Sequence, residues 1–408
     1  MIKKICDVSK DQYDFYLDFG KMPIANSFNI QKKFQTYYHC IIGINYKHKI
    51  LKNINVPKPK KLFTDYYPYS ASLSKKFSNY LSNLALEISE KNKLELKDKF
   101  IIEIGSSDGM FLEYFNKKKI RHLGIEPTLN NHRIAKKKGV NSINDFFDYK
   151  FSKKISKKYG KADIIFSSNV IAHINHINDT FKGINEILND NGIFIFENIY
   201  LLDLIKNLSF DQLYDEHVYT ISVTAINEIA KKNGLNLFSL KRTKIQGGSI
   251  RYYITKDILK RKHGIVDKYI FKESTNPFFK KKNPNIFFNK CLKIKNDIHN
   301  LLSKIKKQDK KIIGYGASAK ATFLINFCNL NESSLDYIFD SSKEKNNKYL
   351  PGTLIKIKHE KEISKQSFDY VIVFAWNHFD EIKQKNINNM KKNNAKWIMT
   401  FPKVRILK

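Results

Sequence analysis

Arginine is scarce in this chain, six residues among the 73 that are basic. Nucleic-acid sites draw on arginine for bidentate contacts with phosphates and bases. The formal charge of +34 therefore comes almost wholly from lysine. Asparagine, isoleucine, phenylalanine and tyrosine are abundant too, and all share A/T-rich codons. Genome composition accounts for the charge, and no nucleic-acid partner is expected. Cysteine is also rare: Cys6, Cys40, Cys291 and Cys328, with no CxxC pair. That excludes a disulfide framework. Long apolar runs are missing, the longest being the short block from Tyr370 to Trp376. No segment is long enough to span a bilayer, so no membrane partner is expected. The N-terminal stretch MIKKICDVSKDQ lacks the apolar core of a signal peptide, and a cytoplasmic location is the expectation.

What is present is a chain of 408 residues, 42% hydrophobic, long enough for two or three domains. Pro57 and Pro59 among lysines mark a first boundary. Leu73, Phe77, Leu81, Leu84 and Ile88 then recur at steps of three and four, the face of an amphipathic helix. Strands and helices alternate after it: KFIIEIG, HLGIE, ADIIFSSNV and NGIFIFENI are strands separated by helical stretches. This alternation predicts an α/β fold with a parallel sheet covered on both faces. A Lys- and Asn-rich linker and a helix around Asn289 to Ile305 lead to a second strand–turn–helix unit, KKIIGYGASAK. SLDYIFD and FDYVIVFAW are its further strands. Three units are expected: a small N-terminal domain (1–60), a Rossmann-like domain (61–256) and a second Rossmann-like domain (257–408).

The first chemical signal is Glu103-Ile104-Gly105-Ser106-Ser107-Asp108-Gly109, directly after a strand. Gly105 and Gly109 allow a tight turn and close approach of a ligand. The helix that follows can receive a carboxylate, such as the methionine end of S-adenosylmethionine (SAM). Glu126 ends the next strand, placed to accept ribose hydroxyls. Asp145 and Phe146 fall where a strand-to-helix connection edges an adenine, although core packing explains the aromatic equally well. A second signal is the run from Phe210 to Tyr219, which holds Tyr214, Glu216 and His217. His217 suits a base at neutral pH, Glu216 an orienting or relay role, and Tyr214 an oxyanion donor. Asn169 and His173 end the third strand, on the side of the sheet where ligands bind. Tyr67 and Tyr69 precede the first helix and are placed to close over a pocket. Gln246 to Arg251, with Ser249, reads either as a substrate contact or as a plain hairpin.

Together these segments resemble the SAM-dependent sugar C-methyltransferases that act on nucleotide-linked 4-keto-deoxysugars. The resemblance runs along nearly the whole chain. It is carried by Asp18 to Asn26, Tyr67 to Ser72, Glu103 to Gly109, Gly124 to Pro127, Asn169 to Ile174, Tyr214 to His217, Gly314 to Lys320, Pro351 to Thr353 and Ala375 to Asn377. It implies a class I SAM-methyltransferase domain, with Glu103, Gly105, Ser107, Asp108, Gly109, Glu126, Asp145, Phe146 and Asn169 around the cofactor. His217 would remove the proton beside the ketone. Glu216 would support it, and Tyr214, His173, Tyr67 or Tyr69 would steady the enolate. The C-terminal unit would hold the nucleotide sugar through Gly314, Gly316, Ser318, Lys320 and Asn377, joined by Ser249 and Arg251.

The chain departs from that family at its N-terminus. Two CxxC pairs that bind structural zinc there read Cys6-Asp7-Val8-Ser9 and Cys40-Ile41-Ile42-Gly43 here. Tetrahedral zinc needs four good ligands, so no zinc is expected. The family's His before Gly-Gly-Ser is Gln246 here, and Thr220-Ile221 follows the Glu-His pair in place of aromatics. Competing readings are O- or N-methylation of a related sugar, a binding protein with a decayed site, and RNA methylation. Neither the sugar nor the oligomeric state can be read from these residues.

Overall fold

The computed structural model describes residues 5–8, 11–30, 35–91, 96–280 and 283–407. Three sheets organise them. The first is antiparallel: β1 (Phe15–Pro23) pairs with β2 (Tyr37–Asn45), and β2 with β3 (Ile50–Asn53). Cys6 and Cys40 are buried free thiols there. Tyr13 and Ile54 fill the space over Gly43, where even a Cβ would come within 2.9 Å of the Tyr13 ring. The residues present do not fit the zinc of the resembling family. Among the described residues no group of three or more His, Cys, Asp or Glu could hold a metal ion.

The second sheet contains β4 (Phe100–Ile104), β5 (Arg121–Ile125), β6 (Ser142–Ile143), β7 (Ala162–Ser168) and β8 (Leu188–Ile199), all parallel. A two-residue strand, β9 (Tyr219–Thr220), leaves this region to pair with β3 of the first sheet. β10 (Asn236–Thr243) and β11 (Ser249–Thr255) complete the order β10-β11-β8-β7-β4-β5-β6. β4 is apolar apart from Glu103 and buried along its whole length, as a central parallel strand must be. The chain order reverses at β4, so the crevice beyond its carboxyl end is a ligand position.

The third sheet runs β14 (Ile357–His359), β13 (Ile338–Asp340), β12 (Ile312–Tyr315), β15 (Tyr370–Val373), β16 (Lys396–Met399), β17 (Arg405–Leu407). Only β17 is antiparallel. Its reversal lies between β12 and β15, at the Gly314–Lys320 turn. Phe19 of β1 joins the units, with ring centroids 5.2–6.2 Å from Phe288, Phe327, Phe323 and Phe210. Each such aromatic pair is worth about 0.5–1.5 kcal/mol beyond its buried area.

One expectation changes. Phe77, Leu81, Leu84 and Ile88 are buried on the helix Lys75–Lys91, but Leu73 lies in a short turn before it and is 44% exposed. The helices on either side of the expected 256/257 boundary pack together. Glu273 of the helix Gly264–Ser274 accepts the Val223 and Thr224 N–H groups, both at 2.8 Å, at the start of the helix Val223–Lys232. No helix among the described residues is long and apolar enough to cross a membrane.

Candidate active site

A cavity of about 670 Å³ opens where the carboxyl ends of β4 and β12 face each other. Its wall on the β4 side starts at Glu103. This carboxyl is 3% exposed, and its Oε2 has no hydrogen-bond partner. Burial, and then the nearby Glu126 and Asp108, raise its pKa well above the carboxylate range. An orphaned acid at this depth suits an ammonium group. Gly105 has φ +70°, and a Cβ there would lie 2.3 Å from Val170, so the turn needs glycine. Glu126 accepts the N–H groups of Ser107 and Thr128, both at 2.8 Å. It thereby ties the turn to the end of β5; with the Thr128 hydroxyl also bonded to Oε1, Oε2 keeps a lone pair for a ribose hydroxyl. Asp145, Phe146, Ser107 and Asn169 line the same wall, and the buried Oδ1 of Asn169 is unpartnered. These groups fit the amino acid, ribose and base of SAM. Asp108 and Gly109 are not on the wall. Asp108 is fully buried and paired with Lys138 at 3.1 Å, and Gly109 packs against Val140 and Ala135.

All six expected catalytic side chains line this cavity: Tyr67, Tyr69, His173, Tyr214, Glu216 and His217. The His217 Nδ1–H donates to the Gln212 carbonyl at 2.6 Å. This bond fixes the tautomer and leaves Nε2 as the acceptor, 3.0 Å from the Tyr214 hydroxyl. Burial lowers the His217 pKa to about 4, against the raising effect of the Gln212 bond, so the imidazole is neutral at pH 7. The His173 ring stands 4.9 Å from it, edge on, and is also held neutral by burial. Glu216 does not orient His217 as expected; the Gln212 carbonyl does. The Glu216 carboxyl turns the other way, to the Asn26 amide at 2.7 Å and the Tyr67 hydroxyl at 2.6 Å. Burial raises its pKa to about 7, while those two donors lower it.

Lys320 and Asn377 face this chamber from the third sheet, hydrogen-bonded to each other. The Lys320 ammonium sits 4.9 Å over the Trp376 ring, and burial lowers its pKa to about 8. The Trp376 indole N–H donates to Asp211 at 2.7 Å, which anchors the loop that carries Tyr214 and His217 to the C-terminal unit. The Asn377 amide donates to Gln246 at 3.1 Å. Ser318 also lines the cavity and caps the helix Ala319–Phe327.

Four expected substrate contacts lie elsewhere. Gly314 is inside β12, with Ile338 2.7 Å from its Cβ position, and Gly316 (φ +91°) is pressed on Ala375. The Ser249 hydroxyl donates to the Ile245 carbonyl at 3.0 Å. Arg251 is buried with its Nε 2.7 Å from Glu197 and Nη1 3.1 Å from Glu87. Strand alternation turns it into the protein, away from the ligand. The wall also holds residues that the motifs did not single out: Asn26, Gln212 and Lys345. Asn26 ends a segment that carried the resemblance. Gln212 acts through its backbone carbonyl, which leaves no trace in side-chain chemistry.

Residues 75–240 match the family described as a methyltransferase domain, and residues 244–402 match the C-methyltransferase C-terminal domain. The C-methyltransferase NovU of Streptomyces niveus is 25% identical over 354 residues, 86% of this chain and 84% of that protein. Solved structures with similarity include magnesium protoporphyrin IX methyltransferase from Synechocystis PCC 6803 with bound SAM. It is 10% identical over 44% of this chain and 79% of that one, with a TM-score of 0.34. A SAM-dependent methyltransferase from Clostridium acetobutylicum is 14% identical over 44% and 91%, with a TM-score of 0.35.

Proposed function

We propose that this chain, which belongs to the SAM-dependent C-methyltransferases, methylates the carbon beside the ketone of a nucleotide-linked keto-deoxysugar. The observation that carries the reading is the fixed His217 tautomer. Its unprotonated Nε2, which accepts from Tyr214, lies in a chamber lined also by the SAM-fitting turn and by Lys320 of the C-terminal unit. When bound, SAM supplies a methyl group already activated on a sulfonium, so the protein's task is to make and orient a carbon nucleophile.

His217 Nε2 takes the proton from the carbon next to the carbonyl. The C–H electron pair moves into the new C=C bond, and the charge settles on the carbonyl oxygen. Tyr214 is a hydroxyl donor beside Nε2, and Tyr67 and Tyr69 are further donors on the same wall. Burial raises the pKa of all three, which keeps them protonated and able to donate. Lys320 and Ser318 supply a cation and a hydroxyl for the diphosphate of the nucleotide.

The test is incubation with SAM and a panel of nucleotide 4-keto-sugars in deuterated water. Methyl transfer, with deuterium uptake beside the ketone even without SAM, is the expected result. Transfer to oxygen or nitrogen without that exchange would replace the reading with heteroatom methylation. A folded protein that binds no SAM would remove it.

A further inference from the structure

The N-terminal unit has lost two of the zinc ligands of the resembling family, yet it is built into the cavity. The segment after β1 turns sharply: the Ser27 N–H and hydroxyl both bond the Ile24 carbonyl, at 3.2 and 2.8 Å. That turn sits between the catalytic loop and the C-terminal unit. The Ala25 N–H donates to Asp215 at 3.2 Å, and the Ala25 carbonyl accepts from the Thr322 hydroxyl at 3.0 Å. Asn26 is thereby held with its amide 2.7 Å from Glu216 Oε1, while Tyr67 takes Oε2. The two atoms come from positions 190 residues apart.

We infer that Asn26 is a positioning residue, whose amide fixes the Glu216 carboxyl beside Tyr67 on the cavity wall and so makes the N-terminal unit part of the reaction. The inference rests on the methyl-transfer reading for the role of Glu216, but the contact itself does not. Glu216 is 1% exposed, so a carboxylate there depends on its donors. The groups that interact with it are Tyr67 and, from its own loop, Asp215 and Tyr214, while Tyr69 and His217 line the same cavity. Lys320 and Lys345 line the same cavity from the C-terminal unit. Asn26 is the N-terminal unit's contribution, and its amide donates to the charged form.

The experiment compares Asn26→Ala and the nearly isosteric, non-ionisable Asn26→Leu with the parent protein; the second serves where the first fails to fold. The infrared carboxylic-acid band missing from Glu216→Gln identifies Glu216 without any turnover. Losing one bond to a buried carboxylate should raise its titration midpoint by about one to two pH units. The acid limb of kcat should rise by the same amount, with KM for both substrates unchanged. An unmoved infrared midpoint overturns the inference, whatever the activity. A midpoint that moves while the acid limb stays put overturns the role in the reaction. If the parent protein methylates no keto-sugar, the acceptor reading fails and the infrared midpoint alone decides for or against Asn26.

Discussion

Replacing Arg251 with methionine separates a structural arginine from a substrate-binding one. Its side chain is 3% exposed and Glu197 is fully buried, 2.7 Å from Nε. Nη1 reaches Glu87 at 3.1 Å, and Nη2 takes the Tyr80 hydroxyl at 2.9 Å. Glu197 Oε2 already lacks a partner, so the guanidinium is the only cation bonded to that carboxylate among the described residues. Methionine keeps most of the apolar volume and removes the charge. A buried pair broken from one side costs about 3–5 kcal/mol, because the surviving charge stays buried and unpaired. The urea midpoint, followed by circular dichroism, should fall accordingly. Adding Glu197→Gln removes the stranded charge and should recover more than half of the loss, since the partners are coupled. Below the new midpoint, KM for the acceptor should equal that of the parent. A variant that unfolds like the parent but shows a raised acceptor KM would refute the reasoning and return Arg251 to the substrate.

Other outcomes follow from the same contacts. His217→Asn should reduce methyl transfer and SAM-independent deuterium exchange by about 10²–10⁴-fold, the range for a general base, with SAM affinity by calorimetry unchanged. Gly105→Ala, at φ +70° and 2.3 Å from Val170, should weaken SAM binding at least about tenfold in the same calorimetric assay, because the turn must open. Glu216→Gln gives a pH-dependent stability difference. The folded pKa of about 7 lies above the ordinary glutamate value of 4.5, so ionisation of Glu216 destabilises the fold as pH rises. The variant should match the parent below about pH 4.5 and gain on it up to about pH 7. The gain should level off near about 3 kcal/mol, as 2.5 pH units imply. Denaturation midpoints at pH 5 and pH 8 that differ equally for both proteins would contradict the assignment.

The sheet strands were readable because buried parallel strands are near-continuous apolar runs, as FIIEI in β4 is. The glycine turns were readable because positive φ leaves few other residues. What failed was whatever depends on tertiary partners. Leu73 fits the helical period, but periodicity does not say where the first turn begins, and the helix starts at Lys75. Ser249 and Arg251 follow a glycine pair, yet the strand's alternation and Glu197, 54 residues away, decide where Arg251 points. β9 is two residues long and exists only because β3 is there to pair with it. His217 was visible as a residue type, but of the roles open to Glu216 the orienting one falls to the Gln212 carbonyl, because a backbone carbonyl leaves no trace in side-chain chemistry.

The charges around the cavity explain why the histidine is held neutral. Glu103 and Glu126 stand on the β4 side, while Lys320 and Lys345 stand on the β12 side. Burial raises the pKa of both acids on the first wall, and a bound cationic methyl donor would lower them again; the second wall suits the anionic acceptor of the proposed reaction. His217 lies in the same chamber. Two unit cations about 4 Å apart repel by about 4 kcal/mol at an effective dielectric of 20. A resting imidazolium would therefore compete directly with a sulfonium for the site. Burial and the nearby Lys320 both lower the His217 pKa, toward about 4, and so remove that competitor. For the proposed proton abstraction the cost is a weaker base, offset by donors placed for the enolate that the proposal requires. The hydroxyls of Tyr67, Tyr69 and Tyr214 are held protonated by burial and can donate to an oxyanion. In the proposed reaction, the basicity lost at the imidazole is offset by the acidity of a carbon beside a carbonyl.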